Sequence, residues 1–246
     1  MPSKIYFASD FHLGMDGELN SAERERIIVS WLNEIEKDAS EIYLLGDMFD
    51  FWFEYKKAVP RGFIRLLGKL AQLSDKGIKL HFFPGNHDMW IFDYLPAELK
   101  LEMHREPVIK EIQGKKFYIA HGDGLGPGDT GYKIIKKIFA NPLCRFLFRW
   151  IHPDIGIRLA EYLSLQGRIR PEEIIFMGEE KERLVVHAKN ILKLQHIDYF
   201  IFGHRHIPVK LTIGNGSTFF YLGDWISNFT YAVFDGNTVE QRKYYP

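Results

Sequence analysis

The sequence predicts an α/β protein in which short parallel strands alternate with helices. Short apolar runs rich in β-forming residues, such as KIYFAS, EIYLL and KLHFF, are separated over residues 1–90 by helical patterns. Strand–helix–strand order favours parallel pairing with right-handed crossovers. Each run also ends in carboxylate, imidazole or carboxamide side chains, and ligands of open α/β sheets gather beyond the carboxyl ends of strands.

Composition limits the classes of function. The chain has 246 residues, 46% of them hydrophobic, which fits one large domain or two small ones, and we expect a single domain over 1–246. Its formal net charge is zero, so no global field attracts nucleic acid, and we expect no nucleic-acid partner. The sequence leads us to infer no obligate protein partner. The single cysteine, Cys144, excludes an internal disulfide. No apolar run approaches the roughly 20 residues of a membrane span, so we expect a cytoplasmic chain.

The elements follow in order along the first half. Asn20 and Glu23 have the spacing of a capping box, and apolar residues from Ile27 to Ile35 recur at helical spacing behind them. A second helical pattern extends from Phe63 to Leu73, between the EIYLL and KLHFF runs. Both patterns predict helices that cover the sheet.

The second half begins with a change of pattern. Strand signals vanish over residues 130–195, where helical patterns carry many bases and aromatics, and we interpret this segment as a helical lid insertion. Strand patterns return from residue 198. Asn215-Gly216 and Asp235-Gly236-Asn237 are typical of hairpin turns between them.

Five polar groups follow the apolar runs and together indicate a metal site. They are Asp10-Phe11-His12, Gly46-Asp47 with Asp50, Gly85-Asn86-His87-Asp88, His121-Gly122-Asp123 and Gly203-His204-Arg205-His206. Divalent ions that act on phosphate prefer oxygen and imidazole ligands, with a carboxylate that can bridge two ions. Seven candidate ligands result: Asp10, His12, Asp47, Asn86, His121, His204 and His206. The remaining histidines, His81, His104, His152, His187 and His196, are interpreted as ordinary core or surface residues.

Two further residues are candidates for catalysis. His87 adjoins a candidate ligand without being one, so it can face the substrate, stabilise the transition state or protonate the leaving oxygen. Asp50 can orient His87 by accepting its other N–H. The alternative interpretation makes Asp50 a helix N-cap.

These motifs, in this order, resemble those of the calcineurin-like metallophosphoesterases across nearly the whole chain. The resemblance implies an αββα sandwich with two divalent ions, usually Mn, Fe or Zn, that supply a hydroxide near neutral pH. It implies one ion on Asp10, His12, Asp47 and His206. It implies the other on Asp47, Asn86, His121 and His204.

The region from His121 to Leu125, followed by Asp129 and Tyr132, resembles the UDP-2,3-diacylglucosamine pyrophosphatases of lipid A synthesis. So does the segment Leu222-Gly223-Asp224-Trp225. That family hydrolyses UDP-2,3-diacylglucosamine to UMP and 2,3-diacylglucosamine 1-phosphate, usually with Mn. Its best-known branch has arginine where this chain has His87 and glutamate where it has Asp50, which indicates a divergent branch. Another nucleotide pyrophosphate or phosphodiester is the alternative substrate, and a non-catalytic scaffold is a remote alternative.

The lid supplies the candidate substrate contacts. Arg145 and Arg149 interleave with apolar residues over 143–151 in a basic amphipathic stretch, which can rest at a membrane surface. The resemblance to the enzymes of lipid A synthesis implies that this stretch meets an acylated substrate, at the cytoplasmic face of the inner membrane. The alternative is an ordinary helix that packs its Phe and Leu side chains on the sheet. The candidate substrate-binding residues are Asp129, Tyr132, Arg145 and Arg149. Lys133, Lys136, Lys137, Arg168 and Arg170 are further candidates for phosphate or ordinary solvated charges.

Overall fold

Two β-sheets packed face to face form the centre of the molecule, in a computed structural model that describes residues 3–167 and 175–245. The strands are β1 (Lys4–Ala8), β2 (Ala39–Leu44), β3 (Lys79–Phe82), β4 (Glu102–Met103), β5 (Val108–Ile112), β6 (Lys115–Ala120), β7 (Tyr199–Phe202), β8 (Pro208–Ile213), β9 (Ser217–Leu222), β10 (Thr230–Phe234) and β11 (Val239–Lys243). One sheet has the order β11-β10-β1-β2-β3-β4 and the other β5-β6-β7-β9-β8.

Helices cover both outer faces. They are α1 (Ser21–Ile35), α2 (Ile64–Asp75), α3 (Tyr94–Leu99), α4 (Thr130–Ala140), α5 (Pro142–Arg149), α6 (Pro153–Gly167) and α7 (Arg183–Leu192). The capping box predicted for α1 is confirmed, because Asn20 accepts from the N–H of Glu23 while Glu23 accepts from the N–H of Asn20.

Three apolar layers hold the sandwich together. Trp31 and Leu70 lie between the first sheet and helices α1 and α2. Phe7 and Phe117 stack between the two sheets, with ring centroids 5.9 Å apart. Val185 of α7 packs on the outer face of the second sheet. The predicted αββα sandwich is therefore confirmed.

Parallel pairing brings the predicted polar groups to one edge. β1, β2 and β3 pair in parallel, as do β6 and β7, so their carboxyl ends point the same way within each sheet. The two hairpin turns are confirmed between β8 and β9 and between β10 and β11.

The segment after residue 130 is helical, as predicted, through α4 to α7. Its interpretation as a lid over 130–195 stays a prediction, and Arg168 and Arg170 lie outside the described residues. Over residues 3–167 and 175–245, the structure contains no helix with the length and apolar character of a membrane span.

Candidate active site

The loops after β1, β2, β3, β6 and β7 meet at the shared edge and bring all seven candidate ligands together. One group consists of Asp10, His12, Asp47 and His206, whose donor atoms all lie within 4.8 Å of one another. His206 Nε2 is 3.5 Å from Asp10 Oδ1, and His12 Nε2 is 3.7 Å from Asp47 Oδ2. Donors bound at about 2.1 Å to one ion at angles of about 90–110° lie about 3.0–3.5 Å apart. The spacing suits a divalent ion.

A second group shares Asp47 with the first. Its members Asp47, His121 and His204 also have donor atoms within 4.8 Å of one another. His121 Nε2 lies 3.4 Å from Asp47 Oδ2 and 3.3 Å from Asn86 Oδ1. Asn86 Oδ1 is in turn 3.0 Å from His204 Nδ1. Asp47 therefore occupies the position between two groups that a bridging carboxylate needs.

Two glycines allow the loops to approach this closely. A Cβ on Gly46, which has φ +81°, would lie 2.5 Å from His121 Nδ1. A Cβ on Gly85 would collide with the carboxylate of Asp47. The loops after β2, β3 and β6 can therefore meet only because these positions lack a side chain.

Five of the candidate ligands have a strained backbone. Asp10, His12, Asp47, His204 and His206 all have φ between 44° and 68°. This left-handed region is uncommon for residues other than glycine, and a residue held there costs about 1–3 kcal/mol. Hydrogen bonds between loops hold the conformation, such as those from Asp10 N to Gly46 O (3.0 Å) and from His12 N to Asp47 O (2.9 Å).

The electrostatics of the site favour cations. Burial raises the pKa of Asp10 to about 6, although His206 and His121 lower it. Burial lowers the pKa of His121, but the carboxylate of Asp47 outweighs it and raises the value to about 10. Burial and the adjacent His121 lower the pKa of His204 to about 3, so its imidazole is neutral and can donate a lone pair. The two buried carboxylates thus attract positive charge.

The hydrogen bonds of Asp10 also indicate a site for a cation. Asp10 is fully buried, and its Oδ2 accepts from the N–H of His204 at 3.0 Å. Its Oδ1 has no hydrogen-bond partner among the described residues. A buried carboxylate oxygen without such a partner is costly unless a cation binds it.

His87 and Asp50 lie beside the first group. His87 Nδ1 donates to the backbone carbonyl of Asp50 at 3.0 Å. The carboxylate of Asp50 lies nearer to His12 Nδ1 (3.3 Å) than to His87 Nδ1 (3.8 Å). The alternative interpretation of Asp50 as a helix N-cap is wrong, because the next helix, α2, begins at Ile64 with Phe63 as its N-cap.

Three buried aspartates in the quoted motifs, Asp88, Asp123 and Asp224, were given no role by the sequence. Asp88 accepts from the backbone N–H groups of Met48 (2.8 Å) and Gly85 (2.7 Å), and so joins the loops after β2 and β3. Asp224 Oδ2 lies 3.6 Å from His206 Nδ1. The sequence could have indicated these roles, because each aspartate lies close in the chain to candidate ligands. Such a carboxylate can accept from the second ring nitrogen of a ligating histidine or from the loop backbone.

The candidate substrate residues lie at the base of α4 and along α5. Tyr132 donates to Asp123 Oδ2 at 2.6 Å, and burial followed by Asp123 raises the tyrosine pKa. Asp129 pairs with Arg183 at 2.7 Å. The Arg145 guanidinium lies 5.1 Å above the Phe92 ring, while Arg149 is exposed in the last turn of α5.

Two lysines of α4 also lie close to the site. Lys136 Nζ is 2.6 Å from Asp123 Oδ2, and Lys133 Nζ donates to the carbonyl of Gly126 at 2.6 Å. Both lysines therefore fasten α4 to the loop after β6.

Helix α5 exposes most of its apolar residues. Leu143, Phe146, Leu147 and Trp150 have the i, i+3, i+4, i+7 spacing of one helix face, and Trp150 is 77% exposed. Phe148 points the other way and packs on Phe53, with ring centroids 4.7 Å apart. The alternative of an ordinary helix with its apolar residues packed on the sheet is therefore wrong for the exposed face.

This fold and donor set define a class of hydrolases that act on phosphoesters with divalent ions. The sequence profile of the calcineurin-like phosphoesterases matches residues 3–208. A UDP-2,3-diacylglucosamine hydrolase of Porphyromonas gingivalis is 41% identical over 253 residues, or 97% of each chain. A hydrolase of the same name from Yersinia pseudotuberculosis is 27% identical over 208 residues, or 82% of this chain and 81% of the relative.

Among solved structures, Yfce, a phosphoesterase from E. coli, has a TM-score of 0.47 and 14% identity, over 96% of this chain and 90% of its own. The family profile and the Porphyromonas relative are sufficient to assign this chain. It belongs to the calcineurin-like phosphoesterase family and is a hydrolase. The resemblance seen in the sequence motifs is confirmed.

Proposed function

We propose that this chain hydrolyses the pyrophosphate bond of UDP-2,3-diacylglucosamine to give UMP and 2,3-diacylglucosamine 1-phosphate. The observation that carries the proposal is the meeting of seven oxygen and imidazole donors at one edge of the sandwich. The 41% identity to a relative named for this substrate, over 97% of both chains, supports the choice of substrate.

Two divalent ions are the proposed cofactors, with Mn favoured and Zn or Fe as alternatives. Asp10, His12, Asp47 and His206 would hold one of them. Asp47, Asn86, His121 and His204 would hold the other. When bound, such a pair supplies charge that neutralises phosphoryl oxygens and lowers the pKa of water.

Asp50 then orients the ligand His12, and His87 supplies the proton for the leaving oxygen. Asp50 accepts from His12 Nδ1 and so directs Nε2 of that ring toward Asp10 and Asp47. The carbonyl of Asp50 accepts from His87 Nδ1, which fixes the tautomer and the ring plane. His87 Nε2 is then the atom from which a protonated imidazole donates to the leaving oxygen.

Helices α4 and α5 would receive the lipid part of the substrate. The exposed face of Leu143, Phe146, Leu147 and Trp150 can bury acyl chains, and Arg149 follows in the same helix. The same face and its basic residues can rest on an anionic bilayer surface, which would place the enzyme peripherally on the cytoplasmic face of the membrane that holds its substrate.

Polar residues near α4 would receive the nucleotide and sugar. Asp123 accepts a hydrogen bond from Tyr132, and Arg183 pairs with Asp129 at the start of α4. These partners preorganise both side chains, so that binding does not have to order them. Arg145 and Arg149 supply positive charge for a phosphate group on the approach along α5.

The test is incubation of the protein with manganese and UDP-2,3-diacylglucosamine, followed by detection of UMP. We expect UMP release that stops on chelation and in the D47N variant, which keeps the shape of the bridging residue but removes its charge. A folded D47N protein, as judged by circular dichroism, with near-normal turnover would contradict the bridging role. Hydrolysis of a small phosphodiester without release of UMP would contradict the substrate.

A further inference from the structure

We propose that His81, Glu102 and His104 form an additional divalent-metal site, of the kind that takes zinc, on β3 and β4. This site shares no residue with the seven candidate ligands of the active site. It gives His81 and His104 a role that the sequence alone does not indicate. The proposal does not depend on the proposed function.

Strand register places the three side chains together. β3 pairs in parallel with β4, and His81 stands opposite Glu102. The ladder continues one residue further, because His104 N donates to Phe82 O at 2.8 Å. Alternate residues of a strand share a face, so Glu102 and His104 both lie on the face that carries His81.

The separations between the donor atoms match a tetrahedral ion. His81 Nδ1 is 3.1 Å from His104 Nε2 and 3.4 Å from Glu102 Oε2, and His104 Nε2 is 3.7 Å from Glu102 Oε1. Nitrogen and oxygen ligands bound to zinc at about 2.0–2.1 Å lie about 3.4 Å apart in a tetrahedron. Three protein ligands on one side leave the fourth position for water.

A carboxylate behind His81 fixes the ring in the orientation that a ligand needs. His81 Nε2 donates to Glu41 Oε2 at 3.1 Å, which directs the Nδ1 lone pair toward Glu102 and His104. The ring is stacked on Tyr43 with centroids 4.2 Å apart, and the His81 side chain is only 3% exposed. A carboxylate that orients a ligating histidine is the usual second partner in metal sites.

With a neutral His81, hydrogen bonds within the metal-free cluster cannot engage all three side chains at once. With the His81 proton on Nε2, its Nδ1 can accept one N–H, from His104. The carboxylate of Glu102 then faces that same acceptor nitrogen at 3.4 Å, and two acceptors cannot bond each other. A cation between the three atoms satisfies all of them, and Glu102, whose side chain is 66% exposed, leaves a path for an ion to enter.

The experiment counts bound zinc after saturation and removal of free metal. We expect the wild-type protein to hold one more equivalent than H104Q or E102Q, because the active-site ions cancel in this difference. The matched control is H196Q, which removes a 65% exposed imidazole elsewhere and should bind as the wild type does. H104Q should retain Mn-dependent hydrolysis of a small diester, which shows that the active site is intact.

A further variant tests the orienting carboxylate. E41Q retains all three ligands, and we expect its affinity for the additional zinc to fall about 10–100-fold. Equal zinc content in wild type, H104Q and E102Q would overturn the proposal. A loss of the same size in H196Q would also overturn it, because the lost zinc would then be bound adventitiously by surface histidines.

Discussion

Gly85→Ala is the sharpest test of how the active-site loops are positioned. A Cβ at this position would lie 2.7 Å from both Asp47 Cγ and Asp47 N, whereas packed atoms lie about 3.5–4.0 Å apart. One loop must therefore move by about 1 Å. Overpacking of this kind costs about 1–3 kcal/mol of stability, and a displacement of about 1 Å in a catalytic group costs about 10²-fold in rate.

The assay for this prediction is Mn-dependent hydrolysis of a chromogenic phosphodiester, together with urea unfolding. We expect G85A to lose about 10²-fold in activity while it remains folded. Gly68→Ala is the control, because Gly68 lies in α2 with nothing within 4 Å of an added Cβ, and alanine should stabilise the helix by about 1 kcal/mol. Wild-type activity in G85A would refute the close approach of Gly85 to Asp47.

Three other variants test separate features. D224N should weaken metal binding about 10–100-fold by isothermal titration, since it removes the charge behind His206 but keeps an oxygen for the backbone. The double variant F146S/W150S should leave a small diester unaffected and slow an acylated nucleotide sugar at least about tenfold, because burying such side chains contributes about 1.5–3 kcal/mol; equal losses on both would contradict the lipid face. The hydrogen bond from His81 holds the pKa of Glu41 well below its ordinary value of 4.5. The ionised Glu41 therefore stabilises the folded protein above pH 4.5, and this stabilisation is lost as the pH falls. E41Q should therefore reduce the loss of stability in acid, as measured by urea unfolding at several pH values.

Local patterns were sufficient to predict most of the fold. The capping box at Asn20 predicts the start of α1, and the hairpin turn at Asn215-Gly216 fixes the pairing of β8 with β9. The same rules failed at β4, because a two-residue strand has no period to detect. Its existence depends on pairing with β3, which is a tertiary property.

The active site was predicted in its composition and only partly in its connections. The chemistry of the ligands is readable from the sequence, because metal ions select residue types and strand ends place them. Orientation is not readable in this way. Asp50 bonds His12 through its carboxylate and His87 through its carbonyl, and only the left-handed turn after β1 brings the first of these rings within reach.

The five candidate ligands with a left-handed backbone conformation show how the fold positions the metal-binding atoms. Five strained residues at about 1–3 kcal/mol each would unfold isolated loops, so neighbouring loops must hold them in place. The bonds that do so run between loops: the backbone of Asp10 donates to Gly46 and accepts from Trp225, and that of His12 donates to Asp47. Asp10 and His12 are therefore positioned by neighbouring loops, and the loop that carries them cannot relax alone. The strained conformations and the hydrogen bonds between loops together hold the donor atoms at metal-binding distances. Phosphoester hydrolysis needs this preorganisation.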